Sequence, residues 1–145
     1  MPWPIAAVVV SLAANAFGVL PLPVAGWLSY PLCAFLGILG VSVLALGIRA
    51  CSLRVIFGRD RSALITAGIY SYVRHPVCLS CVLLAFSAAI GLKSIPGLAV
   101  AVISLVVAYL RASLSEEPEL ERRFGSDYCK YRCRVGMFIP RPPHK

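Results

Sequence analysis

Two short polar blocks stand where chemistry is possible in an otherwise apolar chain. They are Arg74-His75-Pro76 and the run from Arg111 to Glu121, which holds Glu116 and Glu117. Each lies at the end of an apolar run of membrane length, and ionisable groups at membrane depth are costly and usually functional. Pro76 lacks the amide hydrogen that a helix's first turn would leave unpaired, and its fixed φ is already helical, so it suits a helix start. His75 then sits at the helix entrance, beside free backbone donors and the positive end of the dipole. That setting favours an anionic ligand group, and it equally suits a histidine that only caps the helix.

Glu116 and Glu117 precede Pro118, where acidic residues complement the first turn of the next helix, and Ser113 with Glu116 has capping-box spacing. The functional alternative is that one carboxylate faces inward and holds a cationic or hydroxyl-bearing ligand. Arg111 either snorkels to the interface or grips a carboxylate or phosphate with its two-pronged guanidinium. Cys78 with Cys81, and Cys129 with Cys133, have ligand-like spacing. The first pair falls in an apolar helix without nearby histidines and the second on a basic helix. A structural zinc site needs four convergent ligands, so no metal is expected.

The elements that must position these groups follow from composition. At 145 residues, 59% hydrophobic and 14% charged, the chain is too apolar for an ordinary soluble domain. It reads as a single all-α integral membrane domain over residues 1–145. A bilayer takes about 20 apolar residues, and four segments qualify: residues 5–22, 31–48, 76–92 and 95–110. Gly91, Lys93, Ser94, Pro96 and Gly97 supply a tight turn between the last two. No charged residue precedes Arg49, so the first run lacks the basic flank of a signal peptide and is expected to be retained. Arg49, Arg54, Arg59, Arg61 and Arg74 gather between the second and third spans, with only Lys93 opposite. The positive-inside rule then puts both termini, and the polar blocks, in the cytoplasm.

The net charge of +8 is assigned to these flanks and not to nucleic-acid binding. Gly37, Gly40, Gly47, Ser80, Ser87, Ala88 and Ala89 are small enough for close helix contact. Beyond Pro118, Leu120, Phe124, Tyr128, Tyr131 and Val135 recur at three- or four-residue spacing. They form the apolar face of a helix over residues 118–135 that lies at the cytoplasmic membrane surface, with Gly125 a point of bending.

The segments Leu64-Ile65-Thr66-Ala67-Gly68-Ile69-Tyr70, Tyr72-Val73-Arg74-His75-Pro76, Glu116-Glu117, Phe124-Gly125-x-x-Tyr128-x-x-Tyr131 and Phe138-Ile139-Pro140 form an ordered pattern. It resembles the isoprenylcysteine carboxyl methyltransferase and phospholipid methyltransferase family of integral membrane enzymes, over roughly residues 61–141. The resemblance implies an S-adenosylmethionine-dependent methyltransferase whose cofactor sits at the cytoplasmic face. It assigns Leu64, Ile65, Gly68 and Tyr70 to the segment that wraps the cofactor, His75 and Pro76 to the helix entrance that contacts it, and Glu116 or Glu117 to its acidic ligand. The implied acceptor is lipophilic or prenylated, an isoprenylcysteine-like carboxylate being one candidate, and enters from the bilayer.

Two positions depart from the family pattern. Residue 78, usually aromatic, is Cys, and the acceptor-side Arg, usually four residues before the first Glu, is Ala112. Arg111 is one residue away, about 100° of helix. Two other readings remain open: an NAD(P)H-dependent membrane reductase of related architecture, and a non-enzymatic four-span transporter or assembly subunit. Ion-coupled transport would normally leave an ionisable residue within a span, and the four predicted interiors have none.

Overall fold

The computed structural model describes residues 22, 23, 25–50 and 64–141, with the single positions Val9 and Ala13. Nearly all of the expected span at residues 5–22, and Arg54, Arg59 and Arg61, lie outside the described residues. Those described are helical, with no strand among them. In chain order they form α1 (Gly26–Ala50), a 3₁₀ turn (Gly68–Ser71), α2 (Pro76–Gly91), α3 (Ile95–Arg111), a π turn (Ala112–Glu116), α4 (Glu117–Phe124) and α5 (Ser126–Arg134).

Helix α1 begins before the expected boundary and carries Pro31 inside it, an exception that membrane helices tolerate. α1 and the continuous helix Ile95–Phe124 are long and apolar enough to cross a membrane, and α2 is a shorter apolar helix. Only 11% of the apolar window of α1 is buried, and Trp27, Phe35 and Ile38 are 80%, 62% and 69% exposed. An apolar face of that extent is unfavourable against water and at ease against lipid. The chain is a membrane protein.

The chain divides into two compact units, Met1–Val41 with Ser80–Tyr109, and Ser42–Leu79 with Leu110–Lys145. In the first, small residues bring helices together as expected. A Cβ on Gly40 would lie 3.0 Å from Leu84 Cγ, and Ser87 Oγ donates to the Cys33 carbonyl at 2.9 Å. Ala85 and Ala101 pack with Phe86 and Val100. The expected tight turn is present: Ser94 Oγ accepts from the Gly97 amide at 3.1 Å and so caps α3, and Lys93 takes a positive φ of 49°.

The second unit holds both polar blocks. Pro76 is the first residue of α2, as its missing amide hydrogen suggests. The expected single helix over residues 118–135 is two helices, because Gly125 adopts φ 53° and ψ −126°, which ends α4. Of the apolar stripe, Tyr128 is fully buried and Val135 is 5% exposed. The chain then doubles back as a strap along the segment before α2. Val73 and Gly136 form a parallel bridge, the Arg74 amide donates to Gly136 O at 2.9 Å, the His75 amide donates to Met137 O at 3.3 Å, and the Arg141 amide donates to Tyr72 O at 3.2 Å.

Candidate active site

The strap alters one expectation at once. The Arg74 and His75 amides, two of the backbone donors expected at the helix entrance, are taken by the strap carbonyls. The capping reading of the acidic pair also fails. Backbone from Arg111 to Glu117 is helical throughout, with no side-chain cap bond at Glu116, so Ser113 and Glu116 form no capping box.

Instead, the two carboxylates straddle one imidazole. His75 Nδ1 lies 3.2 Å from Glu116 Oε2, while His75 Nε2 is 3.7 Å from Glu117 Oε1, beyond hydrogen-bonding reach. The carboxylates differ in burial. Glu117, 3% exposed, is clamped by an ion pair with Arg74 Nη1 and by Arg132 Nε at 3.3 Å. Glu116, 30% exposed, pairs with Arg111 Nε at 3.6 Å. Arg132 also reaches Glu121, at 3.6 Å. The π turn explains how Arg111 arrives. A π turn bonds residue i to i+5, which stacks residue 111 over residue 116 and offsets its register.

The polar block lies beyond the apolar part of α3, and its charges set one another's protonation. Burial pushes the His75 imidazole down, but the hydrogen bond and charge of Glu116, with Glu117, outweigh it and hold its pKa above the ordinary 6.5. The His75 hydrogen bond draws the Glu116 carboxyl below its usual range against burial. Burial pushes Glu117 up, and His75, Arg74 and Arg132 together bring it below the usual range. The three groups thus favour a proton on the imidazole and negative charge on both carboxylates.

Of the residues anticipated from sequence, the structure joins His75, Glu116, Glu117 and Arg111, and seats the fully buried Pro76 directly behind His75. Tyr70 is tied to the same unit, its carbonyl accepting from Tyr131 Oη at 2.7 Å. Leu64 and Ile65 are half-buried outside any helix, and Gly68, with φ 64°, opens the 3₁₀ turn. Among the described residues, no polar contact links those three to the carboxylates.

Sequence reasoning missed Arg74 as a partner of Glu117, Arg132 as its second counter-ion, and Phe138, whose ring meets His75 edge-on at 6.3 Å. It placed Tyr128 on the apolar face and in the family pattern but gave its hydroxyl no partner. Its hydroxyl was the available signal, since a fully buried tyrosine needs a polar partner. Arg74 Nε, His75 Nε2 and Tyr128 Oη are buried with no hydrogen-bond partner among the described residues. Native structures leave few such atoms. No group of three or more His, Cys, Asp or Glu side chains is placed to hold a metal ion among the described residues.

The chain matches the phospholipid methyltransferase family over residues 24–127, which takes in α1, both polar blocks and the start of α5. It belongs to that family. That family is described as phospholipid methyltransferase. It is also 32% identical over 115 residues to the cobalt-zinc-cadmium resistance protein CzcN of Cupriavidus metallidurans, an alignment covering 79% of this chain and 52% of that protein. The family member thus spans about half the length of the curated relative it matches. No solved structure matches it.

Proposed function

We propose that this protein transfers a methyl group from S-adenosylmethionine to a lipophilic acceptor at the cytoplasmic face of the membrane. In this reading four helices span the bilayer, both termini are cytoplasmic, and the acceptor enters sideways from the lipid. The observation that carries it is the buried His75, 8% exposed, held between Glu116 and Glu117 with one ring nitrogen still unpartnered. A structural cap would satisfy its own polar atoms. Buried orphan atoms beside paired charges instead suit a polar ligand that completes the hydrogen bonding.

The residues present fit the cofactor. Glu116, the more exposed carboxylate, can accept from an ammonium group or ribose hydroxyls, and Tyr70 offers an aromatic face to a sulfonium or adenine. Bound there, S-adenosylmethionine supplies an electrophilic methyl group. The protein's work is then positioning, the main source of rate when two partners are held in line. A carboxylate acceptor, such as that of an isoprenylcysteine-like lipid, is ionised at neutral pH and needs no general base. Arg111, 57% exposed and stacked on Glu116 by the π turn, is the residue to orient it.

Equilibrium binding to the detergent-solubilised protein tests this reading, with S-adenosylmethionine against a reduced nicotinamide cofactor. Selective, saturable binding of S-adenosylmethionine that is lost in His75→Ala and weakened in Glu116→Gln is expected. Nicotinamide binding alone would move the assignment to a reductase.

A further inference from the structure

Cysteine is among the most buried residue types, yet α5 carries two on its exposed surface. Cys129 and Cys133 are free and exposed, whereas the other described cysteines, Cys33, Cys78 and Cys81, are buried or half-buried. The exposed pair stands four residues apart within the helix Ser126–Arg134, so the two share a face with their Cβ atoms about 5–6 Å apart. A disulfide needs about 3.5–4.5 Å between those atoms, and closing one here would distort the helix. Two sulfurs at that spacing can instead converge on a single ion.

The surroundings narrow the choice of ion. Cys129 Sγ donates to Glu121 Oε1 at 3.5 Å, and Glu121 Oε2 lies 3.6 Å from Arg132 Nη1. Glu121 is thus already engaged, and no third His, Cys, Asp or Glu completes a metal-holding group among the described residues. Zinc asks for four convergent ligands and is poorly served. A soft monovalent ion is satisfied by two thiolates in line, and thiolate is the ligand type that selects Cu(I). Charge agrees, because two thiolates and one monovalent cation make an anionic complex, and the same helix carries Lys130, Arg132 and Arg134. That basic setting stabilises the complex.

We infer that Cys129 and Cys133 form a two-thiolate surface site for Cu(I). On capture both sulfurs bond to the ion, both thiol protons leave to solvent, and no oxidation state changes. The hydrogen bond from Cys129 to Glu121 is given up, while the contact between Glu121 and Arg132 can persist. Because protons leave, affinity rises with pH. The site is distinct from the His75 cluster, and the inference does not depend on the function proposed above.

The test uses the full chain, reduced and detergent-solubilised without oxygen, titrated with Cu(I) in competition with a chromophoric Cu(I) chelator. Wild type is compared with Cys129→Ser and Cys133→Ser, with far-UV circular dichroism reporting helix content. Serine at exposed positions changes stability little, within about 0.5 kcal/mol, so both variants stay folded. Wild type is expected to take Cu(I) from the chelator, more tightly as pH rises. Each variant is expected to lose one equivalent per chain, its affinity falling by at least about tenfold. Three results would overturn the site: a wild type that takes no Cu(I), binding unchanged in both variants, or a loss confined to one of them.

Discussion

Arg111 and Glu116 meet across the π turn, with Arg111 Nε 3.6 Å from Glu116 Oε1. At 3.6 residues per turn, positions five apart in an uninterrupted α-helix diverge by about 140°. The π turn removes that divergence and returns Arg111 to the face its sequence register had denied it. Because the pair is exposed, Arg111→Ala should change unfolding free energy by less than about 1 kcal/mol. Under the proposed function it should raise the KM for a carboxylate acceptor by about tenfold or more, the loss of a charge-assisted grip. An unchanged KM would return Arg111 to an interfacial flank.

Glu117 and Glu116 should separate sharply in stability. Glu117→Gln leaves Arg74 and Arg132 facing a neutral, buried side chain, and breaking such a cluster costs about 3–5 kcal/mol. Glu116, 30% exposed, should cost about 1 kcal/mol as Gln. Denaturant unfolding in detergent checks the order, and equal losses would contradict the asymmetric burial.

Raising pH should loosen the second unit through His75. Its folded-state pKa lies above the ordinary 6.5, so the folded form holds the proton more tightly than the unfolded chain. The stability this adds is complete below about pH 6.5 and disappears as pH rises through the folded value. Wild type should therefore lose melting temperature across that window, and His75→Gln should be nearly flat there. A wild type that gained stability with pH would reverse the assigned sign.

Gly125→Ala tests the break between α4 and α5. A Cβ there meets no atom within 4 Å, so crowding contributes nothing. The cost is the backbone's alone, about 1–3 kcal/mol for holding a side-chain-bearing residue at φ 53° and ψ −126°. Thermal unfolding reads it directly, and a neutral substitution would mean that the two helices can rejoin.

Much of this site was legible because its signals are local. The fixed φ of Pro76 and the Gly91-to-Gly97 turn chemistry act within a few residues, and the helix start and the hairpin are where those residues require. The apolar stripe from Leu120 to Val135 was read correctly as a face but not as a broken one. The conformation of Gly125, not the weak helical preference of glycine, decides the break. The π turn carries no marker, since Ala112-Ser113-Leu114-Ser115-Glu116 is compatible with ordinary helix. The strap was invisible for another reason. Its bonds join backbone groups more than sixty residues apart, and backbone pairing of that reach leaves no side-chain periodicity to read. Tyr128 was hidden by its own duality, its ring counting as core while its hydroxyl asks for a partner.

The strap also has a consequence for biosynthesis. The Gly136 and Met137 carbonyls hold the amides of Arg74 and His75, and Phe138 braces the imidazole. A nascent chain can form α1, α2 and α3 and still carry an unfinished centre until residues 136–138 have left the ribosome. Truncated products ending before Gly136 would carry these helices without the completed His75 cluster, so that cluster closes only after the helices that flank it have been made.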